Sequence, residues 1–572
     1  MRLGAIAAGA ALGAAIGLVL GAVHWPIDPS RVGRDLSASL GVVQPPSRAT
    51  LTLLPRPVLK IVGVHAEVAG LRVSAASAEA TLRLDRLVTG ALVPLGLTLR
   101  DVDIHVDLDA ASAALSHLTG TELTRLIVKG GEIAISRPSQ GWETHASVSQ
   151  VQFDWGAPEG PLRAAGTARW RGQPLDVSAE IGLPLAVAQG GASPLRISLD
   201  APLAQIRLAG DLAPEGESQG ALFRGRASAL APSLPRFARW MGRSLADQLP
   251  IGGLEIETGL SATARDVRLA DATLTLAGQA FEGALDVSRD GEGVAVSGTL
   301  AADSLDLASL LGPPPGLFDD AGGWSNRAAL PAPVEGVALD LRVSASKAVW
   351  GGRTLDNAAA AVSQKRGRLS VKLLEAGFAH GALSGELTVE AGAGLCRTQL
   401  AATLDNADLG AVLAAFGARA FTGEGSAKLN LRARGRSPSE IVGSADGDAT
   451  VDISDGSVAS LNFEEALRRG RRRLIDVARD MSAGATRFGA AHGRIEISAG
   501  EARFIDAATQ AAGVSLAVTG AIDIAGRAWR AHVAARESAD DGQPTPDGAR
   551  LDFALFGPWS GPVLTPLLPP AD

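Results

Sequence analysis

The sequence predicts a mainly β protein: an elongated, repeating antiparallel sheet with a few short helices and one N-terminal transmembrane helix. Three observations support this fold class. Apolar and polar residues alternate over short runs through most of the 572 residues, as in strands with one buried face. Gly, Asp-Gly and Pro turn signals separate these runs at the spacing of antiparallel meanders. The chain also opens with a long uncharged apolar stretch.

The opening stretch, Leu3 to Val23, contains no charged side chain and no proline. At about 1.5 Å per residue, one helix of this length crosses a hydrocarbon core of about 30 Å. A cleaved signal peptide is the alternative, but its apolar region runs to about 7–15 residues, and Leu20 stands where its cleavage site needs a small residue. We therefore predict a retained anchor over residues 1–24, with Trp25 at the membrane–water interface. The anchor residues are Leu3, Ile6, Leu12, Ile16, Leu18, Val19, Leu20, Val23 and Trp25.

The composition narrows the classes of function. The chain has a net charge of −8, a single cysteine and 46% hydrophobic residues. No basic face persists beyond one short arginine cluster, which argues against nucleic acid as a partner. One cysteine cannot form an internal disulfide, so other interactions must stabilise the fold. The apolar content indicates that the protein keeps apolar surface in cores or along one face.

The clearest strand runs from Leu97 to Leu108, where apolar residues alternate with acidic residues and a histidine. The alternation slips by one residue at Arg100-Asp101, which predicts a bulge. One face of the strand is apolar, and such a face either lines a groove or packs dry against a second layer. We single out the apolar set as candidate residues for burial against a second sheet, helices or a ligand: Leu97, Leu99, Val102, Ile104, Val106 and Leu108.

The pattern divides the chain into an anchor and four β regions. The regions are 25–125, in which residues 25–48 form a stalk, 126–312 with a helix at 233–249, 313–420, and 421–572 with a helix at 463–481. Proline residues at 313–315 mark the best interior boundary. A faint repeat consists of a glycine-flanked hairpin, a strand and a short helix. Its two copies are Gly278–Val287 with Gly298–Gly312, and Gly377–Val389 with Ala402–Gly417.

No catalytic or cofactor motif is found in the sequence. The eight histidines show no HExxH or other ligand spacing, and there is no phosphate-binding glycine loop and no GxSxG elbow. Asp101, Asp103 and Asp107 fall on the solvent face of a strand, which does not favour a metal site. We therefore expect no enzyme activity, no catalytic residue, no metal and no cofactor.

An arginine cluster lies in the helical stretch 463–481 and is denser than an ordinary helix surface. A solvated helix face is one interpretation, and binding of anionic headgroups or of a partner is the other. The candidate headgroup-binding residues are Arg468, Arg469, Arg471, Arg472 and Arg473.

Several stretches, taken in order, resemble AsmA family proteins of Gram-negative envelopes. The apolar opening is followed by LTLLPRPVLKIVGVHAEV and SAEATLRLDRLVTGALVPLGLTLRDVDIHVDL, which are similar to the start of that family. The later stretches LNLRARGRSPSEIVGSADGDATVDISDGSVASLNF and LDFALFGPWSGPVLTPLLP resemble its C-terminal region. The resemblance covers both ends and the repeat at Gly377–Gly417, whereas residues 126–250 are the least typical.

The resemblance implies a single-pass protein of the cell inner membrane with its body in the periplasm. It also implies kinship with bridge-like lipid-transfer proteins, in which a repeating, taco-like apolar β-groove carries phospholipid between membranes and supports outer-membrane assembly. On this resemblance, the apolar set between Leu97 and Leu108 becomes the candidate lipid groove. The implied partners are phospholipids, the inner membrane, and outer-membrane or other envelope proteins. The alternative is a non-transporting structural or assembly factor of the envelope with a closed β-sandwich body, and an enzyme is a distant third.

Overall fold

The chain divides into two compact units in a computed structural model. Unit 1 comprises Met1–Ser244 and Gly252–Thr275, and unit 2 comprises Leu245–Ile251 and Leu276–Asp572. The proline residues at 313–315 therefore lie inside unit 2. The structure describes residues 23–40, 42–68, 70–110, 122–156, 160–214, 221–242, 252–263, 265–290, 293–314, 316–319, 322–327, 336–391, 396–414, 421–459, 461–470, 484–510, 513–538, 545, 548–558 and 562–567.

Unit 1 is built mostly of strands, with one helix of 12 residues and several shorter ones. Its strands are β1 (Trp25–Pro26), β2 (Val42–Val43), β3 (Arg48–Thr52), β4 (Val58–Val68), β5 (Leu71–Leu82), β6 (Pro94–Asp107), β7 (Arg125–Arg137), β8 (Trp142–Trp155), β9 (Leu162–Trp170), β10 (Gln173–Ile181), β11 (Ser193–Ala201), β12 (Ala204–Pro214), β13 (Ala221–Ala231), β14 (Leu254–Ala262) and β15 (Asp266–Leu276). Its helices are α1 (Pro29–Leu40), α2 (Leu84–Val88), α3 (Pro184–Ala188) and α4 (Leu234–Trp240), with 3-10 turns at Leu108–Ala110 and Pro138–Gln140.

From β3 to β14, each strand of unit 1 pairs with the next strand in sequence. The pairs are antiparallel except β6 with β7, which is parallel. Strands β1 and β2 pair with β3 and β4. The predicted antiparallel meander is thus correct for most pairs. It is wrong for β6 and β7, which run in the same direction.

Unit 2 repeats this construction. Its strands are β16 (Gln279–Asp290), β17 (Gly293–Asp306), β18 (Val337–Trp350), β19 (Arg353–Lys365), β20 (Arg368–Phe378), β21 (Gly381–Ala391), β22 (Cys396–Asp408), β23 (Phe421–Arg434), β24 (Asp446–Ala459), β25 (Ala485–Ser498), β26 (Glu501–Gln510), β27 (Val514–Asp523), β28 (Ala528–Glu537), β29 (Arg550–Pro558) and β30 (Val563–Leu567). Its helices are α5 (Leu307–Leu311), α6 (Leu409–Ala414), α7 (Pro438–Gly443) and α8 (Phe463–Gly470).

The strands of unit 2 also pair in sequence order from β16 to β30. Only β17 and β18, of these pairs, are parallel. The predicted repeat is confirmed as two antiparallel hairpins that each end in a short helix, β16–β17–α5 and β21–β22–α6. The copies then diverge, because the strand after α6 pairs antiparallel with β22.

The segment 25–48, predicted as a stalk, contains a packed helix instead. Val32 and Leu36 of α1 are 0% and 3% exposed and belong to the same apolar cluster as residues of β3 to β8. Their spacing of four places them on one face of the helix. Asp28 stabilises the start of α1 by accepting a hydrogen bond from the Ser30 N–H at 3.1 Å.

The slip in the alternation at Arg100-Asp101 is confirmed, but the predicted bulge is wrong, because β5 and β7 both stay in register with β6 across this position. Asp101 adopts φ 52°, and Leu99 and Val102 on either side of it are both 3% exposed. In the parallel pairing Arg100 lies opposite Lys129 and Val102 opposite Gly131, so Asp101 faces Gly130, which has φ 71°. Asp and Gly are among the residues that tolerate this left-handed region, and one such residue on each strand preserves both the pairing and the apolar face.

The predicted long helices are only partly within the described residues. The stretch 233–249 contains α4 and the stretch 463–481 contains α8, while residues 243–250 and 471–483 lie outside the described part. Within the described part, no helix has both the length and the apolarity needed to span a membrane. The predicted anchor falls almost entirely on residues 1–22, outside the described part. Of the predicted anchor residues, Val23 and Trp25 are described, and both are exposed.

Candidate functional site

A continuous apolar face crosses the sheet of unit 1 from β5 to β14. Side chains that are opposite each other in successive strand pairs form a line, which we call row A. Row A consists of Ala78, Leu99, Val128, Val151, Gly166, Val177, Leu199, Ile206, Ala229 and Ile256. At about 4.8 Å between neighbouring strands, its contour is about 40 Å long.

A second line, row B, runs beside row A two residues along each strand. It consists of Ala80, Leu97, Leu126, Phe153, Ala164, Ala179, Ile197, Leu208, Ala227 and Thr258. Residues two apart on a strand point to the same face, so the rows form one surface. The threonine at its far end is the one polar member of the two rows.

Burial changes along these rows. At the β5–β7 end, Ala78, Leu99 and Val128 are at most 3% exposed, in the cluster that includes α1. From Val151 onward, every member of row A is only half-buried. Leu199 and Ile206, at the centre of the face, keep part of their apolar surface accessible. The sheet thus presents a covered apolar end and an accessible apolar stretch.

The opposite face of the same strands is charged and forms cross-strand ion pairs. Arg163 and Arg196 lie 3.4 Å and 3.7 Å from the carboxylate of Glu180, and Arg207 lies 3.9 Å from that of Asp200. These arginine side chains are 64–71% exposed, so each pair contributes little to stability. Their main effect is to define that face as the solvent side.

Helix α4 covers the accessible stretch at one rim only. Trp240 packs edge-on against Trp170 with ring centroids 5.0 Å apart, and its Nε1–H donates to the Trp170 carbonyl at 3.1 Å. Arg171 donates to the Trp240 carbonyl at 3.0 Å and lies over the Trp170 ring. The buried cluster here is small, with Leu175, Ala204 and Trp240 at its centre. Most of rows A and B lies beyond it.

Unit 2 carries an equivalent line, row C, from β16 to β25. It consists of Leu285, Gly298, Leu341, Val362, Val371, Leu387, Leu400, Leu431, Gly447 and Ile497. All its members are half-buried except Ile497, which is 7% exposed. On the opposite face Lys372 pairs in register with Glu386, and Ser370 donates to Glu386 at 2.9 Å. Unit 2 therefore has the same division into an apolar and a polar face.

The connection between β17 and β18 is fixed along one rim of unit 2. The Trp324 Nε1–H donates to the Ile524 carbonyl at 2.8 Å, and the Ser439 N–H donates to the Ser325 carbonyl at 3.1 Å. Arg527 lies over the Phe318 ring, 4.3 Å from its centroid. We call residues 316–327 the strap. It holds the rim at which β18 and β24 begin and β27 ends.

The predicted groove residues of β6 lie on this apolar face but at its covered end. Leu99, Val102 and Ile104 are at most 8% exposed in the packed cluster, and Leu97 and Val106 are half-buried against it. Leu108 is in the 3-10 turn that follows the strand. Leu99, Val102 and Ile104 are therefore surrounded by protein. The accessible members of rows A and B are on β8 to β14, which the sequence analysis did not single out.

The other predicted site residues are only partly described. Trp25 is 46% exposed and pairs with Leu51. Arg468 and Arg469 lie in the last turn of α8, and Arg471, Arg472 and Arg473 lie outside the described residues. The headgroup contact of this cluster stays a prediction.

Titratable groups near β6 form a polar cluster on the face opposite the rows. The Ser136 hydroxyl lies 3.1 Å from His105 Nε2, and His105 Nδ1 lies 3.8 Å from the Glu143 carboxylate. The second distance is too long for a hydrogen bond, and Ser136 is 7% exposed within three paired strands, so this is not the arrangement of a nucleophile with an oriented base. Over the described part of the chain, no group of three or more His, Cys, Asp or Glu side chains is arranged to hold a metal.

Comparison with known proteins gives one match. Residues 319–507 match the model of the AsmA family. The match lies within unit 2 and includes most of the strap and most of row C. No curated protein matches the chain in sequence.

Proposed function

Because residues 319–507 make this chain an AsmA family protein, we propose that it is a non-catalytic phospholipid carrier of the cell envelope. It is held in the inner membrane by one N-terminal helix, and its body lies in the periplasm. Acyl chains lie along rows A to C while the charged face stays in water. The protein passes phospholipid between membranes and thereby supports outer-membrane assembly.

The accessible apolar surface of the rows is the observation that carries this proposal. Apolar surface left in water costs about 25 cal/mol for each Å². Leu199, Ile206 and Leu208 lie side by side in this half-buried state, with charged residues only on the other face. An acyl chain laid across the strands would remove that surface from water without any hydrogen bond to satisfy. A binding surface of this kind needs no cofactor and no covalent step.

The geometry also suits a long ligand. Row A has a contour of about 40 Å, longer than the hydrocarbon core of a bilayer, which is about 30 Å thick. Row A has no side chain at Gly166, and the next members, Val177 and Leu199, carry larger apolar side chains. The face is therefore continuous, and successive binding positions require no change of fold.

Photo-crosslinking in cells tests the proposal. A crosslinker at Ile206, on row A, should capture phospholipid, whereas one at Arg207, on the opposite face of β12, should not. Leu387 and Glu386 form the matching pair on β21 in unit 2. Capture of protein alone at Ile206 and Leu387, or equal lipid capture on both faces, would overturn lipid transport along the rows.

The predicted location needs a separate test. A reporter that works only in the periplasm, fused after Asp572, should be active, and the mature protein should begin at or near residue 1 and fractionate with membranes. Activity of only a cytoplasmic reporter would exclude the proposed topology, and a mature chain that starts at Val23 or later would show a cleaved signal.

An assembly factor without lipid transport is the second candidate. The observation in its favour is that both units contain dry packed clusters, one around Leu59 and Val128 and one around Phe463 and Phe553. This candidate predicts that purified protein carries no lipid. Organic extraction followed by mass spectrometry therefore separates the two functions.

A further inference from the structure

One rim of the unit 1 sheet exposes large apolar side chains. It is formed by the turn at 53–57, by α2 with its flanking loops, and by the start of β6, and we call it the leucine rim. Leu84 and Val88 of α2 are 64% and 83% exposed. Leu53, Leu54 and Leu95 are each 39% exposed. A cluster of exposed apolar residues indicates a surface that binds a membrane or another molecule.

Hydrogen bonds fix these segments together at the same rim. The Leu82 N–H donates to the Pro57 carbonyl at 2.9 Å, which joins the end of β5 to the 53–57 turn. The Arg83 N–H donates to the Val93 carbonyl at 3.0 Å and closes the α2 loop. The rim is thus a defined surface of the sheet.

The described part of the chain begins at this rim. Trp25 lies opposite Leu51 and Pro26 opposite Thr50, so β1 runs away from the 53–57 turn, and the residues before Trp25 lead toward it. Val23 and Trp25 are exposed at this point. Arg31 of α1 also reaches the rim, because its Nη2 donates to the Gly90 carbonyl at 2.7 Å. The chain before Val23 contains the uncharged run that begins at Leu3.

The charges of α2 and of the residues that flank it are neutralised locally, whereas Arg56 in the 53–57 turn is exposed. Arg83 lies 2.8 Å from Asp85 and 2.9 Å from Glu122, and Arg86 lies 3.4 Å from Glu122. The hydrogen bond from Arg83 holds the pKa of the Asp85 carboxyl below its ordinary value, so the pair stays ionised at neutral pH. A surface with exposed leucines and self-paired charges is suited to apolar contact more than to binding of net charge.

We infer that the leucine rim docks into the interface of the lipid bilayer that holds the N-terminal segment, with Leu84 and Val88 of α2 inserted among the headgroups. The occupant is phospholipid bilayer, because the uncharged run that begins at Leu3 ends at Val23, where the described chain starts at this rim. The inference rests on the proposed anchor. It places unit 1 against the membrane surface. The strands at the covered end of rows A and B are the row-bearing strands that follow the N-terminal segment first in the chain.

Fluorescence quenching on the full chain in phosphatidylcholine vesicles tests this inference. In a Cys396→Ser background, which removes the buried thiol, single cysteines replace Val88 on the leucine rim or Met241, 43% exposed after α4 at the opposite rim. Each carries a polarity-sensitive fluorophore, and the vesicles contain lipid with a nitroxide near the headgroup. Interfacial side chains lie about 5–10 Å deep, so the label at 88 should be quenched several-fold more than the label at 241. The difference should persist in high salt.

The outcomes separate the inference from the proposed anchor. Vesicles that float with the protein but quench both labels equally would overturn the docking and leave the anchor intact. A blue-shifted but unquenched label at 88 would show a protein neighbour, such as a second copy, and would also overturn it. Protein that does not float with vesicles at all would overturn the anchor and, with it, the docking.

Discussion

Strands β5 to β7 and strands β9 to β13 carry the same two apolar rows, but only the first group is closed. Leu99 and Leu199 occupy equivalent places on row A, and the first is 3% exposed while the second is half-buried. Leu99 lies in a packed cluster that contains Val32 and Leu36 of α1 together with residues of β3 to β8. Above β9 to β13, the only buried cluster is the small one at α4, so far as the structure describes these strands. An identical strand pattern therefore serves as core in one place and as accessible surface in the other.

The largest expected effect contrasts these two leucines directly. Leu99→Asp buries a carboxylate without a partner and should lower the free energy of unfolding by about 3–5 kcal/mol. Leu199→Asp places the same carboxylate where water reaches it and should cost about 1 kcal/mol or less. Urea denaturation of both variants measures the difference. Equal losses would show that the stretch β9 to β13 is as closed as β5 to β7.

The helix that covers the closed end should contribute next most. Leu36→Ala removes a side chain that is 3% exposed and leaves a cavity, for which we expect a loss of about 2–4 kcal/mol. Leu84→Ala, at a site 64% exposed, is the control and should change stability by less than about 0.5 kcal/mol. Thermal unfolding of the two variants compares them, and similar melting temperatures would mean that α1 does not cover the rows.

The left-handed residue on β6 should have an intermediate effect. Asp101→Val places a β-branched residue at φ 52° and should cost about 1–2 kcal/mol, whereas Asp101→Gly should cost nothing or stabilise slightly. The two variants differ in backbone strain at a position whose side chain is exposed. If valine were tolerated as well as glycine, the slip that keeps Leu99 and Val102 on one face would not depend on this residue.

The smallest effect concerns acid sensitivity of the closed end. The Ser139 backbone N–H, and then its hydroxyl, donate to Asp109 at 2.8 Å each, and these bonds hold the pKa of Asp109 below its ordinary value of 3.8. A lowered folded pKa gives stability that is present above the ordinary pKa and is lost as pH falls through the folded one. The melting-temperature difference between wild type and Asp109→Asn should therefore be constant near neutral pH and shrink below about pH 4. A difference that grows on acidification would contradict this assignment.

The strand pattern could be predicted from the sequence because its signals are local. Alternation located β6 and the slip at Asp101, and turn residues located the hairpins of the repeat. The direction of pairing was not predictable, since a strand has the same alternation whether its neighbour is parallel or antiparallel, and β6–β7 and β17–β18 were missed for that reason. Helix α1 was missed because prolines and serines suggested a stalk, although Val32 and Leu36 have helical spacing.

Lipid contact at the predicted groove residues stays a prediction, but the structure places Leu99 in a packed cluster and leaves Leu199 and Ile206 half-buried on the same face. Leu99 was chosen because β6 has the clearest alternation. Clear alternation occurs both in strands whose apolar face is covered by protein and in strands whose apolar face is accessible. What decides between them is the presence of residues from a distant segment, such as α1, above the face. The weaker pattern of β11 and β12, with Gly210 and several alanines, gave less reason to choose Leu199 or Ile206, yet these are the accessible positions.

The strap has a consequence for the order in which the chain is made and folded. Neighbouring hairpins close loops of a few residues, which costs little chain entropy, so each can form as soon as its second strand exists. Trp324, in contrast, bonds to the Ile524 carbonyl, 200 residues later. That acceptor exists only after β27 has been synthesised, and the strap cannot take its final place before then. The strap therefore reaches its final place late in folding, because its attachment requires that the strands from β18 to β27 have been made.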